Sequence, residues 1–250
     1  MNQDRGLSAK NANPENGSVD RSSPFSAPVV SLPKGGGAIQ GIGEKFSVNP
    51  ANGTASFDPP VFTSQGRSGF YPKLSLKYDS GSGNSVFGFG WHLSVPAITR
   101  KTDKGLPRYF DADESDVFIL SGAEDLVPKL VPSAPQNGTP TPTGAWALDT
   151  YPATLQGQSY TVQRYRPRIE GLFAQIERWA NNANGDVYWK SVSKDNITSL
   201  FGIDASSRIA DPDDPSRVFS WLLSVTYDDV GNVACYQYKA EDTENVPPAL

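Results

Sequence analysis

The sequence predicts an all-β fold of antiparallel hairpins and sheets, and three observations lead there. Glycine (23 copies) and proline (21 copies) are abundant in a chain of 250 residues, and both disfavour helix interiors. Aromatic residues are plentiful, with 12 Phe, 10 Tyr and 5 Trp, and these suit pleated surfaces. Apolar residues recur at alternate positions in short runs, and Asn, Asp, Gly and Pro separate the runs.

Residues 1–34 are polar and rich in Asn, Ser, Asp and Pro. Such a segment buries too little apolar surface to offset its ordering entropy, so it is expected to be a disordered tail. The folded β domain is expected to run from Gly35-Gly36-Gly37 to residue 250. Glu44 to Val48 reads as a short strand, Asn49 to Gly53 as a turn, and Thr54 to Phe57 as its return. In Leu74-Ser75-Leu76-Lys77-Tyr78 the first, third and fifth residues face a core. Asp79 to Asn84 is a loop. Trp91, Leu93 and Val95 alternate again, which turns His92 and Ser94 to the opposite face. Val117 to Leu120 is a continuous apolar run, as in a strand covered on both sides.

Residues 131–145 are rich in Pro, Thr, Gly and Asn, as an exposed loop would be, and offer a candidate internal boundary. Tyr160 to Tyr165 reads as a strand. Leu172 to Trp179 fits either a strand or a helical face made of Leu172, Phe173, Ile176 and Trp179. The strand is preferred, because Asn184-Gly185 then leads into Val187-Tyr188-Trp189. Trp221, Leu223, Val225 and Tyr227 are expected on one face, followed by a turn at Asp228 to Asn232 and a return strand from Val233 to Lys239. These last two hairpins share a pattern. Trp179 and Tyr227 close their first strands, Gly185-Asp186-Val187 and Gly231-Asn232-Val233 follow, and Trp189 and Tyr236 lie on the returns. Hairpins repeated in this way can stack into an extended sheet.

Composition narrows the function classes. The net charge is −5, and an acidic chain repels phosphate backbones, so nucleic acid is not expected as a partner. No stretch approaches the roughly 20 apolar residues that span a bilayer, and Met1 to Asn16 lacks the apolar core of a cleaved signal peptide. With one cysteine, Cys235, no internal disulfide can form. The single histidine, His92, would have to serve any histidine-dependent catalytic set, and it reads instead as an exposed strand residue. Cys235 reads as a packing residue. One His and one Cys cannot build the usual tetrahedral zinc site.

Asp111-Ala112-Asp113-Glu114-Ser115-Asp116 superficially resembles a calcium loop. The EF-hand pattern needs Gly at its sixth position and Glu at its twelfth, where this chain has Asp116 and Gly122. The segment reads as a solvated acidic turn, with an irregular calcium site left open. Asp211 to Pro215 reads the same way. Gly81, Gly83, Gly88 and Gly90 do not make a dinucleotide loop, and Gly41 to Lys45 does not complete a phosphate loop. Tyr and Trp at strand ends suit a core or interface better than a sugar platform. No catalytic, cofactor or metal residue is therefore expected, and the chain does not read as an enzyme. Trp91, Trp179, Trp189, Trp221 and Tyr227 are the expected fold-bearing positions.

Several runs, in order, resemble the N-terminal domain of the Salmonella virulence plasmid B protein family, which also opens the B subunits of insecticidal toxin complexes. They include Ser31 to Ile39, Gly41 to Phe46, Asn52 to Ala55, Leu74 to Asn84 and Phe87-Gly88-Phe89-Gly90-Trp91. Ile98 to Tyr109, Asp116 to Pro128, Asp195 to Gly202 and Tyr238 to Asp242 continue the series. The resemblance covers about residues 31–242.

The resemblance implies a secreted virulence protein exported without an ordinary signal peptide, present in the bacterial cytoplasm beforehand. It also implies that this region begins a large β shell of Rhs/YD-type hairpins, which encloses a toxic cargo together with a C subunit. A propeller elsewhere in such B subunits docks on a pentameric A subunit. Tyr227-Asp228 with Gly231-Asn232 is similar to the Rhs/YD signature. Some family members carry an ADP-ribosyltransferase at the far C-terminus, which needs a Glu-x-Glu pair. None occurs in this chain, so that activity is not carried over. Members usually run far beyond the point where this chain stops, which leads to the expectation of a truncated gene or a fragment. A stand-alone extracellular β module that binds host glycan or protein is the alternative reading.

Overall fold

The computed structural model describes residues 47–49, 53–121, 124–133, 145–171 and 173–240, all within one compact unit, Glu44–Leu250. The expected tail at 1–34, the start of order at 35–37, Leu172, most of the 131–145 loop and the chain end after residue 240 lie outside the described residues. Among the described residues there are twenty strands and three short 3₁₀ turns, with no α-helix.

The first part forms a small antiparallel sheet. Its strands are β1 (Ser47–Asn49), β2 (Thr54–Phe57), β3 (Pro60–Val61) and β4 (Leu74–Asp79). A tight hairpin of β5 (Asn84–Ser85) and β6 (Gly88–Phe89) then leads to β7 (Trp91–Leu93). The sheet order is β1-β2-β4-β3, with β7 also on β4. Trp91 packs against the rings of Tyr78 at 5.1 Å and Phe57 at 6.2 Å. Trp91 remains half-buried, so it organises this sheet and not the main core.

The rest is a closed barrel. Its wall strands are β8 (Ala97–Arg100), β9 (Phe118–Leu120) and β10 (Glu124–Pro128). The chain then leaves the wall as a ribbon of β11 (Leu130–Pro132) and β12 (Trp146–Leu148), and returns along β13 (Thr150–Leu155). The wall resumes with β14 (Gln158–Pro167), β15 (Gln175–Asn181), β16 (Val187–Val192) and β17 (Thr198–Phe201). After β18 (Arg208–Ala210) it ends with β19 (Val218–Tyr227) and its hairpin partner β20 (Val233–Cys235). The order β10-β9-β8-β19-β17-β16-β15-β14 is antiparallel throughout, and pairing of β10 with β14 joins the ends into eight strands. Eight strands leave an interior just wide enough for side chains to fill.

Every wall strand contributes to that interior. Ile98, Phe118, Leu126, Tyr165, Ile176, Trp189, Phe201, Trp221 and Leu223 form one buried cluster. Phe118, Tyr165, Trp189 and Trp221 meet edge to face, with centroids 4.9–6.0 Å apart. This is the favoured geometry for aromatic quadrupoles. The Trp221 indole N–H donates to Val187 O at 2.9 Å. Gly202 (φ +67°) lies against that ring, where a Cβ would meet Trp221 Cδ1 at 2.3 Å, so a side chain is excluded on both counts.

The expected shared face of Trp221, Leu223, Val225 and Tyr227 is corrected. The register with β17 slips: Phe201 pairs with Leu223 but Leu200 with Val225, leaving Ser224 as an extra residue. The bulge turns Val225 and Tyr227 to the face opposite Leu223. Local alternation cannot reveal such an insertion. Of the segment read as either strand or helical face, Gln175 to Trp179 is strand, part of Gln175–Asn181.

Candidate functional site

The most organised polar feature lies at one mouth of the barrel. Arg100 ends β8 and is only 2% exposed. Its guanidinium lies over the rings of Tyr109, Phe118 and Trp221 at 4.7–5.4 Å. Its Nε–H donates to Val218 O. Its remaining donors reach Asp111 at 2.6 and 3.0 Å and Asp116 at 2.8 Å. A buried guanidinium needs such paired carboxylates to offset its lost hydration.

The β8–β9 loop, residues 101–117, therefore crosses the mouth as a strap. Asp111 also receives a hydrogen bond from Arg178 of β15 at 2.7 Å. Glu114 accepts from Gln163 and from the Tyr165 hydroxyl of β14. Asp116 accepts the backbone N–H groups of Arg108 and Tyr109. Burial alone would raise the Asp111 carboxyl, but Arg100 and Arg178 outweigh it and hold the group below its ordinary value. The same burial pushes the Tyr165 phenol far up, aided by the Glu114 charge.

This overturns the reading of Asp111 to Asp116 as a solvated acidic turn. Asp116 is nearly buried, and Asp111 and Asp116 are committed to arginines, the partners that sequence distance conceals. No group of carboxylate, His or Cys side chains suited to a metal ion occurs among the described residues. Asp211 and Asp214 do form a surface turn, neutralised by Arg217. His92 is exposed and opposite Lys77. Cys235 is an exposed free thiol on β20, which corrects its reading as a packing residue.

A second constellation sits on the other face of β14–β16. Tyr151, Val162, Trp179 and Tyr188 form one cross-strand row from β13 to β16. Trp179 stacks on Tyr188 at 5.6 Å, and Tyr160 meets both edge-on. Beneath them Glu177 is 1% exposed. It accepts from the Tyr151 hydroxyl at 2.8 Å, the Trp179 indole at 3.1 Å and the Gln175 amide. Burial and then Glu177 push the Tyr151 phenol up to about 12. No motif announced this cluster, although the alternation Gln175, Glu177, Trp179 placed its members on one face.

The ribbon springs from a three-way junction. Lys129 N–H donates to Arg164 O, Arg164 N–H to Asp149 O, and Asp149 N–H to Lys129 O, all at 2.8–3.0 Å. The Asp149 carboxylate also pairs with Lys129 and Arg164. Beyond it, Leu130 faces Leu148, and Pro132 faces Trp146. Leu130, Trp146 and Leu148 are 49%, 62% and 36% exposed.

The family described as Salmonella virulence plasmid 65kDa B protein matches residues 49–249. Mono(ADP-ribosyl)transferase SpvB of Salmonella choleraesuis (strain SC-B67) is 38% identical over 216 residues, 86% of this chain. The chain spans about a third of that relative's length, 34%. The crystal structure of TcdB2-TccC3 is 36% identical with a TM-score of 0.67, covering 88% of this chain and 10% of that one. The N-terminal domain of effector protein SpvB from Salmonella typhimurium strain LT2 is 36% identical with a TM-score of 0.58, covering 72% and 53%. The Photorhabdus luminescens Tc holotoxin pore is 35% identical with a TM-score of 0.65, covering 88% and 10%.

Fold and likeness together define the class: an all-β domain of the kind found in the B-subunit shell of Tc toxins. Within that class, the chain belongs to the Salmonella virulence plasmid 65kDa B protein family. Its likeness falls on the N-terminal and shell part of these proteins, apart from the ADP-ribosyltransferase region.

Proposed function

We propose that this chain is a non-catalytic structural and assembly module of a secreted toxin-complex B subunit, or of a related virulence protein. It would contribute wall to a β shell that encloses and delivers a toxic effector. The observation that carries this reading is the alignment of 88% of the chain, at 36% identity, with part of TcdB2-TccC3. The barrel interior supports it in physical terms. Aromatic side chains fill the lumen and a loop straps its mouth, so this barrel is a building block and not itself a container. The cargo chamber would be bounded by outer faces such as the Tyr160–Trp179–Tyr188 cluster.

The partners on this reading are a C subunit, which completes the shell, and a pentameric A subunit, reached through other parts of a full-length B subunit. Neither cofactor nor nucleic acid is required. The protein would act outside the bacterium, after synthesis in its cytoplasm. An antibody raised against residues 53–121 tests the assignment in the producing bacterium. A species far above 26.9 kDa that co-purifies with a C-type subunit is expected. A single species of 26.9 kDa with no such association would overturn it.

A further inference from the structure

A groove of about 660 Å³ runs between β4 and β7 of the small sheet and the start of the barrel at β8. That volume lies within the range of small-ligand sites. Its wall includes Lys77, Ser82, Asn84, His92, Thr99 and Ser121, with Trp91 at one side. Lys77 and His92 are directly opposed cross-strand neighbours, so their side chains rise from the same face of the sheet.

Two features mark this groove. First, the side chains of these six residues form no hydrogen bond or ion pair with the rest of the described protein. Single exposed side chains elsewhere, such as Lys73, Arg166 and Lys194, are unbonded too; here six are gathered around one groove. Second, the lining contains one lysine and one histidine but no carboxylate, in a chain whose net charge is −5. The groove thus offers an ammonium, an imidazole, an amide and three hydroxyls, whereas the Trp91 ring lies on the opposite face of the sheet, against Tyr78 and Phe57. Hydroxyl and amide groups match the hydroxyls of a sugar, and an unopposed ammonium selects a negative substituent.

We infer that this groove binds an acidic saccharide, with Lys77 holding the sugar's anionic group and Asn84, Thr99 and Ser121 its hydroxyls. This goes beyond the shell role and does not depend on it, because none of the groove's residues belongs to the outer cluster of Tyr160, Trp179 and Tyr188.

The 250-residue chain would be titrated with sialyllactose, lactose and sodium sulfate. Binding would be read by heteronuclear NMR shifts and by tryptophan fluorescence. Saturable binding of sialyllactose is expected, with shifts concentrated at Gly83, Trp91 and Ser121. Lactose should bind about tenfold more weakly, the scale of one lost charge-assisted hydrogen bond. Lys77→Ala should show the same loss, Lys77→Arg should restore most of it, and Lys190→Ala on the barrel should change nothing. Thermal melting of each variant separates lost binding from lost folding. The inference is overturned by no saturable binding, by equal affinity for lactose and sialyllactose, or by sulfate binding as tightly as the saccharide. Unchanged affinity in a folded Lys77→Ala variant would also overturn it.

Discussion

Strands β14 to β16 carry an aromatic cluster on each face, and the two are built on opposite terms. The inner one, Tyr165 and Trp189 with Phe118 and Trp221, is edge-to-face and almost wholly buried, and meets charge only at the mouth, where Arg100 and Glu114 lie. The outer one joins the buried Tyr160 to the half-exposed Trp179 and Tyr188, and the Trp179 indole donates to the buried carboxylate of Glu177. The inner ring gains most of its stability from close packing, whereas the outer ring is built around a buried carboxylate at its centre. Alternation along one strand therefore produces a core on one side and a polar-centred surface on the other.

The sharpest test of this contrast is Trp221→Ala. The side chain is 1% exposed, and its removal should destabilise by ~3–5 kcal/mol in denaturant melting. A loss well under ~1 kcal/mol would contradict its core placement. Arg100→Leu should come next, at ~3 kcal/mol, because Asp116 loses its cationic partner and Asp111 one of its two. Adding Asp111→Asn and Asp116→Asn should recover part of that loss, a coupling that a double-mutant cycle measures.

Trp179→Ala on the outer face should destabilise by only ~1–2 kcal/mol, since the ring is half-exposed from the start. A loss equal to that of Trp221→Ala would erase the distinction between the faces. Within the inner cluster, Trp189→Phe should be milder than Trp221→Phe. The Trp189 indole N–H has no partner, whereas that of Trp221 is bonded to Val187 O.

The smallest effect is on pH dependence. Asp111 is held below its ordinary value of 3.8, so its stabilisation is present above about that pH and is lost as pH falls through the lower folded value. Urea midpoints measured from neutral pH downward should fall in this acid range. In Asp111→Asn the midpoint should start lower and fall less steeply.

Much of the fold was legible locally. The runs Leu74 to Tyr78 and Tyr160 to Tyr165 appear as strands because alternation is a property of near neighbours. Trp189 and Trp221 were singled out as fold-bearing and both lie in the core. What stayed hidden depends on contacts distant in sequence. Pairing of Leu126 with Pro167 closes the barrel, yet nothing in either run specifies the other. The carboxylates at 111–116 look solvated until Arg100 and Arg178 are brought beside them. The groove was hidden for the same reason, because Ser121 and Lys77 meet only after β8 folds against the small sheet.

Strand β19 stands between β8 and β17, so Trp221 pairs with Ile98, more than a hundred residues earlier. This fixes the order in which a growing chain can become whole. As the polypeptide leaves the ribosome, the seven earlier wall strands can associate, but the gap between β8 and β17 stays open until residues 218–227 have emerged. Until then two strand edges and the surfaces later covered by Trp221 and Leu223 are unprotected. Translation pauses or stop codons before that point would yield a sticky, unclosed sheet, whereas the same events shortly after it would leave a closed barrel.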